Sequence, residues 1–324
     1  MTHERIVTIT LNTAVDHVIE APELRVGAHV RAKRLGRSPG GKGVNVARIL
    51  GALGTRSVAT GFVGKGELGM FEEFLERVGT GRVVTQFLTV RGRTRDNITI
   101  MDPVLDTETH VRTEGFVVQR EDVRRLLSKA GMLARPETVM CLMGSIPPGV
   151  VMGDLRTIAH RSVEGGARLV VDMEGDALRS VIDERMWMLK VNDNELSEIA
   201  GEAIATEEDA LRVGRRHLVS EGGTAEVVII TRGAAGAVLL TPDGAYSAQT
   251  FVHPGRIAHT VGCGDALLAG VLHAWSERRG WGEVLKVGVG TATGHAVSRE
   301  PGVLEMEAVE EFVSSTESSP VEGV

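Results

Sequence analysis

Short runs of Val, Ile and Leu, almost unbroken by polar residues, recur along this chain and alternate with longer stretches of helical apolar spacing. The runs are RIVTITL (5–11), RSVATGFVG (56–64), TVMCLMG (138–144), ARLVVDM (167–173), MWMLKVN (186–192) and EVVIITRG (226–233). A sheet with one wet face needs alternating apolar and polar residues, so runs this continuous fit strands buried on both faces. Segments between them, such as GVNVARILGALG and EDVRRLLSKAGMLA, place apolar residues on one side of a helix. Strand–helix alternation on this scale specifies an α/β fold, a mostly parallel sheet with helices on both faces. Aromatic residues make up only 3% of the chain, so its core must be aliphatic.

Two regions break the pattern. Residues 16–37 and 83–117 are richer in charged and β-branched residues and show no helical period. Structureless loops of that length are rare in compact domains. A second, small β-sheet built from two insertions is therefore expected, as a lid over the carboxyl ends of the parallel strands, where open α/β sheets bind ligands. Residues 1–315 are assigned to one domain carrying this lid, and 316–324 to a flexible C-terminal tail.

The 324 residues carry a net charge of −7, which argues against nucleic acid or an anionic membrane as the main partner. Two cysteines, Cys141 and Cys263, cannot make a four-thiolate metal site or a disulfide framework. No signal peptide and no apolar run of about 18 residues is visible, and the expected compartment is the cytoplasm. Forty glycines without low-complexity tracts suggest many tight turns or close backbone approaches to a ligand.

Several glycine-rich or polar stretches fall where strands end. In HTVGCGDALLAG (259–270), Asp265 stands where a glycine turn meets a helix start. It reads either as an N-cap or as part of an anion site built on the unpaired amides and dipole of the first turn. SPGGKGVNVARIL (38–50) is a second glycine turn entering a helix. It matches neither GxxxxGK[ST] nor GxGxxG, and Asn45 on its first turn faces either solvent or a polar ligand. TLNTAVD (10–16) puts Asn12 and Asp16 at the carboxyl end of the first strand, and Asp16 reads as a solvated turn residue or as an acceptor for sugar hydroxyls. RGRTRDNITI (91–100) spaces Arg91, Arg93 and Arg95 by two, one face of an extended segment. Such a row is either solvated charge or a phosphate clamp. In KVNDNELSEIA (190–200), Asn192 and Glu195 have the spacing of a capping box, or of an amide and carboxylate holding hydrated Mg²⁺. TRGAAGAVLL (231–240) gives strand, glycine turn and strand, a shape able to lie against a nucleotide.

The order of these stretches resembles the ribokinase-like PfkB family of carbohydrate kinases over nearly the whole chain. SPGGKGVN and HTVGCGD are similar to the family's two signatures. TLNTAVD, TRDNI, GSIPPGV and KVNDNE are similar to the branch that holds 1-phosphofructokinase and tagatose-6-phosphate kinase. The resemblance implies a ribokinase-like three-layer α-β-α sandwich with a β-sheet lid, and ATP and Mg²⁺ as cofactors. It implies that Asp265 is the catalytic base and that the amides of Gly262, Cys263 and Gly264 form an anion hole. Asp16, Gly40, Gly41 and Asn45 would bind the sugar, Arg95 its phosphate, and Ser145 would lie where the two ligands meet. Asn192 and Glu195 would organise Mg²⁺ and the triphosphate, Glu195 through water, and Thr231 and Gly233 would line the ATP site.

The activity implied is phosphorylation of a ketohexose phosphate, foremost fructose 1-phosphate to fructose 1,6-bisphosphate. Tagatose 6-phosphate and fructose 6-phosphate are the alternatives, and a sugar-phosphate-binding regulator with weak turnover is the rival of another class. A homodimer through the lid sheet is also anticipated. The chain departs from the pattern at Thr13 (proline in the branch), His259 (an acidic or amide residue), Cys263 (alanine) and VRTEGFVV (111–118), where the branch shows TE-[IL]-N.

Overall fold

The computed structural model describes residues 4–216, 223–300 and 302–321. In chain order the strands are β1 (Arg5–Thr10), β2 (Ala14–Glu20), β3 (Lys33–Gly40), β4 (Ser57–Gly64), β5 (Val83–Val90), β6 (Arg95–Asp102) and β7 (Thr107–Arg112). They continue as β8 (Thr138–Met143), β9 (Arg168–Asp172), β10 (Met186–Asn192), β11 (Ala225–Thr231), β12 (Ala237–Thr241), β13 (Gly244–Gln249) and β14 (Glu317–Val321). The α-helices are α1 (Lys42–Ala52), α2 (Leu68–Val78), α3 (Arg120–Leu133), α4 (Met152–Glu164) and α5 (Gly175–Val181). After them come α6 (Asp193–Ala200), α7 (Glu207–Gly214), α8 (Cys263–Ser276), α9 (Trp281–Val297) and α10 (Met306–Ser315).

All six apolar runs are strands of one sheet, ordered β14-β13-β12-β11-β10-β9-β8-β1-β4-β5. It is parallel from β11 to β5 and antiparallel from β11 to β14. Alternate residues of each strand enter different cores, which is why the runs are continuously apolar. Val7 and Ile9 of β1 and Met140 and Leu142 of β8 pack with Leu126 of α3, Leu155 of α4 and Leu211 of α7. Ile6, Val139 and Cys141 face the other way, toward Ile49 of α1, Leu268 of α8 and Val309 of α10. Burying a large aliphatic side chain contributes about 1.5–3 kcal/mol, so both faces hold the layers together. Among the described residues, no helix is long and apolar enough to cross a membrane.

The second sheet has the order β3-β2-β6-β7. Its strands come from the two regions expected to form a lid, with one correction. β5, inside 83–117, pairs in parallel with β4 as the edge of the main sheet. Paired along one edge only, it buries Val83 and Val90 and leaves residues between them partly exposed, so its mixed composition imitates a lid strand. The C-terminal tail needs a second correction. Thr316 is buried and β14 pairs antiparallel with β13, Pro320 opposite Tyr246. ESSPV shows no apolar pattern because an edge strand needs none, and proline is tolerated there; residues 322–324 of the expected tail lie outside the described residues.

Parallel pairing aligns the carboxyl ends of the strands. Thr10 is level with Met143, Met143 with Asp172, and Asn192 with Thr231. The segments that follow these residues therefore share one rim.

Candidate active site

At this rim, α8 begins with Gly262 as its N-cap in the left-handed region (φ 82°). Glycine adopts that backbone without steric cost. Asp265 is the third residue of the helix, and no side chain caps the end, so the capping reading of Asp265 is corrected. Its carboxylate, 6% exposed, instead accepts a hydrogen bond of 2.8 Å from Asn45 Nδ2. Burial and the negative charge of Asp172 push its pKa up to about 6, against the Asn45 hydrogen bond and the charges of Lys42 and Lys190. A carboxylate tuned in this direction accepts a proton efficiently near neutral pH.

The same first turn offers backbone donors. The helical ladder starts with Ala266 N–H to the Gly262 carbonyl at 2.9 Å, and Cys263 N–H makes a long contact of 3.4 Å to the Thr260 carbonyl. The amides of Gly262, Gly264 and Asp265 have no protein acceptor among the described residues. Of the three amides expected to form the anion hole, that of Cys263 is turned back toward the loop in this structure, and the Asp265 N–H is left without a protein acceptor beside those of Gly262 and Gly264. Burial, with the charge of Asp265, pushes the Cys263 thiol up to about 12. The shift keeps the thiol protonated near neutral pH.

Gly262, Gly264, Asp265 and Asn45 line a cavity of about 760 Å³ whose other wall is the lid sheet. Asp16 lies on β2 of that lid, not at the end of β1, in register with Asn97 of β6 and Ser38 of β3. It accepts 2.8 Å from Asn97 Nδ2. Burial pushes its carboxyl up, while Asn97, Arg48, Arg95 and His17 pull it down. A Cβ on Gly40 would stand 2.0 Å from Asp16 Oδ2, so this approach of carboxylate to backbone requires glycine. Gly41 is the N-cap of α1, and Asn45 donates its backbone N–H to the Gly41 carbonyl.

Only one arginine of the row enters the cavity. Gly92 turns the chain (φ 105°), and the Arg93 side chain is 83% exposed beside Glu67. Arg91 is also exposed, so the three do not share one strand face. Arg95 begins β6, donates 3.3 Å to the Asn12 carbonyl and keeps a buried Nε without a partner. Asn12 in turn donates 3.2 Å to Ser145 Oγ. Arg112, at the end of β7, also lines the cavity. Burial and the charge of Arg112 lower the Arg95 pKa, opposed by Asp16. Arg112 falls in VRTEGFVV, the segment where the chain departs from the branch pattern. The other departure nearby, Thr13, is buried and donates 2.7 Å to the Phe62 carbonyl.

Four further charged residues were missed. Arg48, 5% exposed, donates 3.1 Å to the Gly302 carbonyl, and burial brings its pKa down to about 10 against the charges of Asp265 and Asp16. Asp172 is fully buried between Lys42 Nζ at 2.8 Å and Lys190 Nζ at 3.1 Å. The two ammonium groups hold its carboxyl below the usual range despite burial. Lys42 and Lys190 line the cavity, Lys190 against Gly264. The available signal was a charge inside an apolar strand, VVDM and MLKVN. Such a charge is rare without a buried partner.

Asn192, Glu195, Thr231 and Gly233 lie along the same rim but outside the cavity lining. Asn192 and Glu195 form a capping box at α6, with Glu195 N–H to Asn192 Oδ1 at 2.9 Å and Asn192 N–H to Glu195 Oε2 at 2.8 Å. The bond spends Oε2 and leaves Oε1 for a hydrated cation, so capping and cation holding are compatible. Thr231 ends β11 opposite Asn192 and Ala237, and Gly233 opens the turn into β12 with φ 56°.

The chain is similar to known proteins over nearly its whole length. The family model described as "pfkB family carbohydrate kinase" matches residues 6–304. The 1-phosphofructokinase of Bacillus subtilis strain 168 is 33% identical over 301 residues, 93% of this chain and 95% of that protein. A solved structure from Thermotoga maritima, named a possible 1-phosphofructokinase, superposes with a TM-score of 0.84 at 26% identity, covering 98% of this chain and 100% of its own. Phosphofructokinase-2 of Escherichia coli, solved with substrates and products, has a TM-score of 0.85 at 21% identity and covers 96% of this chain and 98% of its own.

Proposed function

The chain belongs to the pfkB family of carbohydrate kinases, and from that premise we propose that it transfers the γ-phosphate of ATP to a primary hydroxyl of fructose 1-phosphate, giving fructose 1,6-bisphosphate. The observation that carries the proposal is the position of Asp265. Its buried carboxylate lies in one cavity with both the phosphate-seeking Arg95 of the lid and the free amides of α8. The names of the relatives support the sugar. Tagatose 6-phosphate and fructose 6-phosphate are the alternatives within the same chemistry.

In this reading the sugar lies between Asp16 and Asn45, with its phosphate on Arg95 and Arg112. Asp265 takes the proton of the attacking hydroxyl as that oxygen bonds to Pγ and the Pγ–O bond to ADP breaks. The amides of Gly262 and Gly264, the N-terminal end of α8 and the Lys190 ammonium stabilise the charge on the transferring group. Phosphoryl transfer depends on such positioning and fixed positive charge. Asn192, Glu195, Thr231 and Gly233 hold the nucleotide end. Magnesium, when bound through water at Glu195 and to the phosphates, would offset the triphosphate's charge. A homodimer through the lid, whose edge strands β3 and β7 each have a neighbour on one side only, belongs to the same reading.

The test is ATP consumption with Mg²⁺ on fructose 1-phosphate, fructose 6-phosphate, tagatose 6-phosphate, fructose and ribose. Turnover strongest on fructose 1-phosphate supports the proposal, and a preference for any unphosphorylated sugar sinks it. Ligand binding without turnover on the whole panel would make the protein a regulator instead. Arg95→Ala is expected to raise KM for the phosphorylated sugar by about 10- to 100-fold, the worth of one charge-assisted hydrogen bond, while any trace turnover of fructose stays within about twofold. The pH profile is a second check. Asp265 works deprotonated and its pKa is raised to about 6, so kcat/KM should fall tenfold per unit of pH below that value and be flat just above it. A profile flat down to pH 5 would exclude Asp265 as the base.

A further inference from the structure

We propose that His295 is a positioning residue for the anion hole: its imidazole pins the Val261 carbonyl and thereby aims the Gly262 amide at the transferring phosphate. His295 lies near the end of α9, 2% exposed, and its Nε2 is 3.2 Å from the Val261 oxygen. A carbonyl only accepts, so Nε2 carries the hydrogen. Nδ1 is buried without a partner, where a bare lone pair costs less than an unpaired N–H would. The ring is therefore neutral and in one tautomer. Burial, Arg48 and His259 all act against its protonation.

The carbonyl of Val261 and the N–H of Gly262 belong to one planar trans peptide and point in opposite directions. Holding the oxygen toward α9 therefore sets the direction of the amide. The hold is needed because Gly262 sits in the left-handed region, and a peptide next to glycine reorients at little cost. Space enforces the contact as well, since a Cβ on Gly262 would lie 3.0 Å from His295 Nε2. Two backbone bonds staple the same loop to α9, from Ala258 and His259 N–H to the Ala296 carbonyl at 2.8 and 3.2 Å. The His259 ring meets His295 edge to face, with centroids 4.8 Å apart. His259 thus braces the turn against a second histidine.

The inference rests on the anion-hole reading above, and its test separates the two. His295→Phe keeps the ring and removes the donor, while His295→Gln restores an amide N–H able to reach the same carbonyl. In a sugar-phosphate assay, His295→Phe should lower kcat by about 10- to 100-fold, as for a weakened oxyanion donor. KM for the sugar should stay within about twofold, and His295→Gln should recover most of the rate. Should the Phe variant not fold, His295→Asn, too short to reach Val261, takes its place. A sugar-free arm measures binding of ADP with and without aluminium fluoride: fluoride should tighten ADP in the wild type, and the gain should shrink at least tenfold in the Phe variant while ADP alone binds as before. A wild-type rate and fluoride gain in His295→Phe, or a Gln variant as impaired as Phe, would overturn the role. Absence of any fluoride gain in the wild type would overturn the anion hole itself.

Discussion

Asp265→Asn is expected to lower kcat on the preferred sugar phosphate by about 10²- to 10⁴-fold, the range contributed by a positioned general base. The asparagine keeps the shape of the side chain and a carbonyl oxygen to accept from Asn45, now 2.8 Å from the carboxylate, but cannot take the proton. The groups proposed to hold the sugar are untouched, so KM for sugar and ATP should move only a few-fold. The same variant should be no less stable than wild type at pH 8. Burial and Asp172 raise the pKa of Asp265 in the folded chain from an ordinary 3.8 to about 6. A raised carboxyl favours folding while protonated and loses that contribution as pH rises through the folded value. Above pH 6 the ionised carboxylate is thus a cost retained for function, and the neutral amide relieves it. Thermal melts at pH 8 alongside the rate decide the matter. A rate loss accompanied by a lower Tm would make Asp265 structural, and an unchanged rate would remove it as the base.

The strands were readable because burial on both faces leaves an unmistakable trace: Ile6 and Val7 enter different cores, and both must be apolar. β5 and β14 were misread for the opposite reason, since an edge strand is only partly covered and its sequence carries little of the sheet's pattern. At the site, residues inside glycine motifs were legible because the backbone there tolerates few alternatives, as Gly40 against Asp16 shows. The placement of Asp16 on the lid was not, because strand pairing and not spacing brings Asn97 beside it. Arg112 was missed for a similar reason. Its place in the cavity lining depends on the orientation of β7, and nothing in HVRTE announces that orientation.

Asp172 was the hardest to foresee and should have a comparably large effect on substitution. Its carboxylate neutralises two ammonium groups from different parts of the chain, Lys42 at the start of α1 and Lys190 in β10. Asp172→Asn leaves both without a counter-ion, and Lys190 has only 6% of its side chain exposed. Removing one member of a buried ion pair typically costs about 3–5 kcal/mol, and that loss is expected in urea or thermal unfolding at neutral pH. The pH dependence has a definite sign. The folded pKa of Asp172 lies below its ordinary 3.8, so its contribution is complete above that value and disappears only as pH falls through the lower, folded one. The gap between wild type and variant should therefore be constant from pH 7 to 8, above the titration of Asp265, and close only in strong acid, below the folded pKa of Asp172. Enough folded enzyme should remain at low temperature to record the rate profile. Asp172 raises the pKa of Asp265, whereas Lys42 and Lys190 lower it. Deleting the carboxylate while keeping the lysines must move the acid limb of kcat/KM below pH 6, with a weaker base and a lower plateau. A variant that melts with wild type and keeps its limb at pH 6 would show that Asp172 neither holds the two lysines nor tunes Asp265.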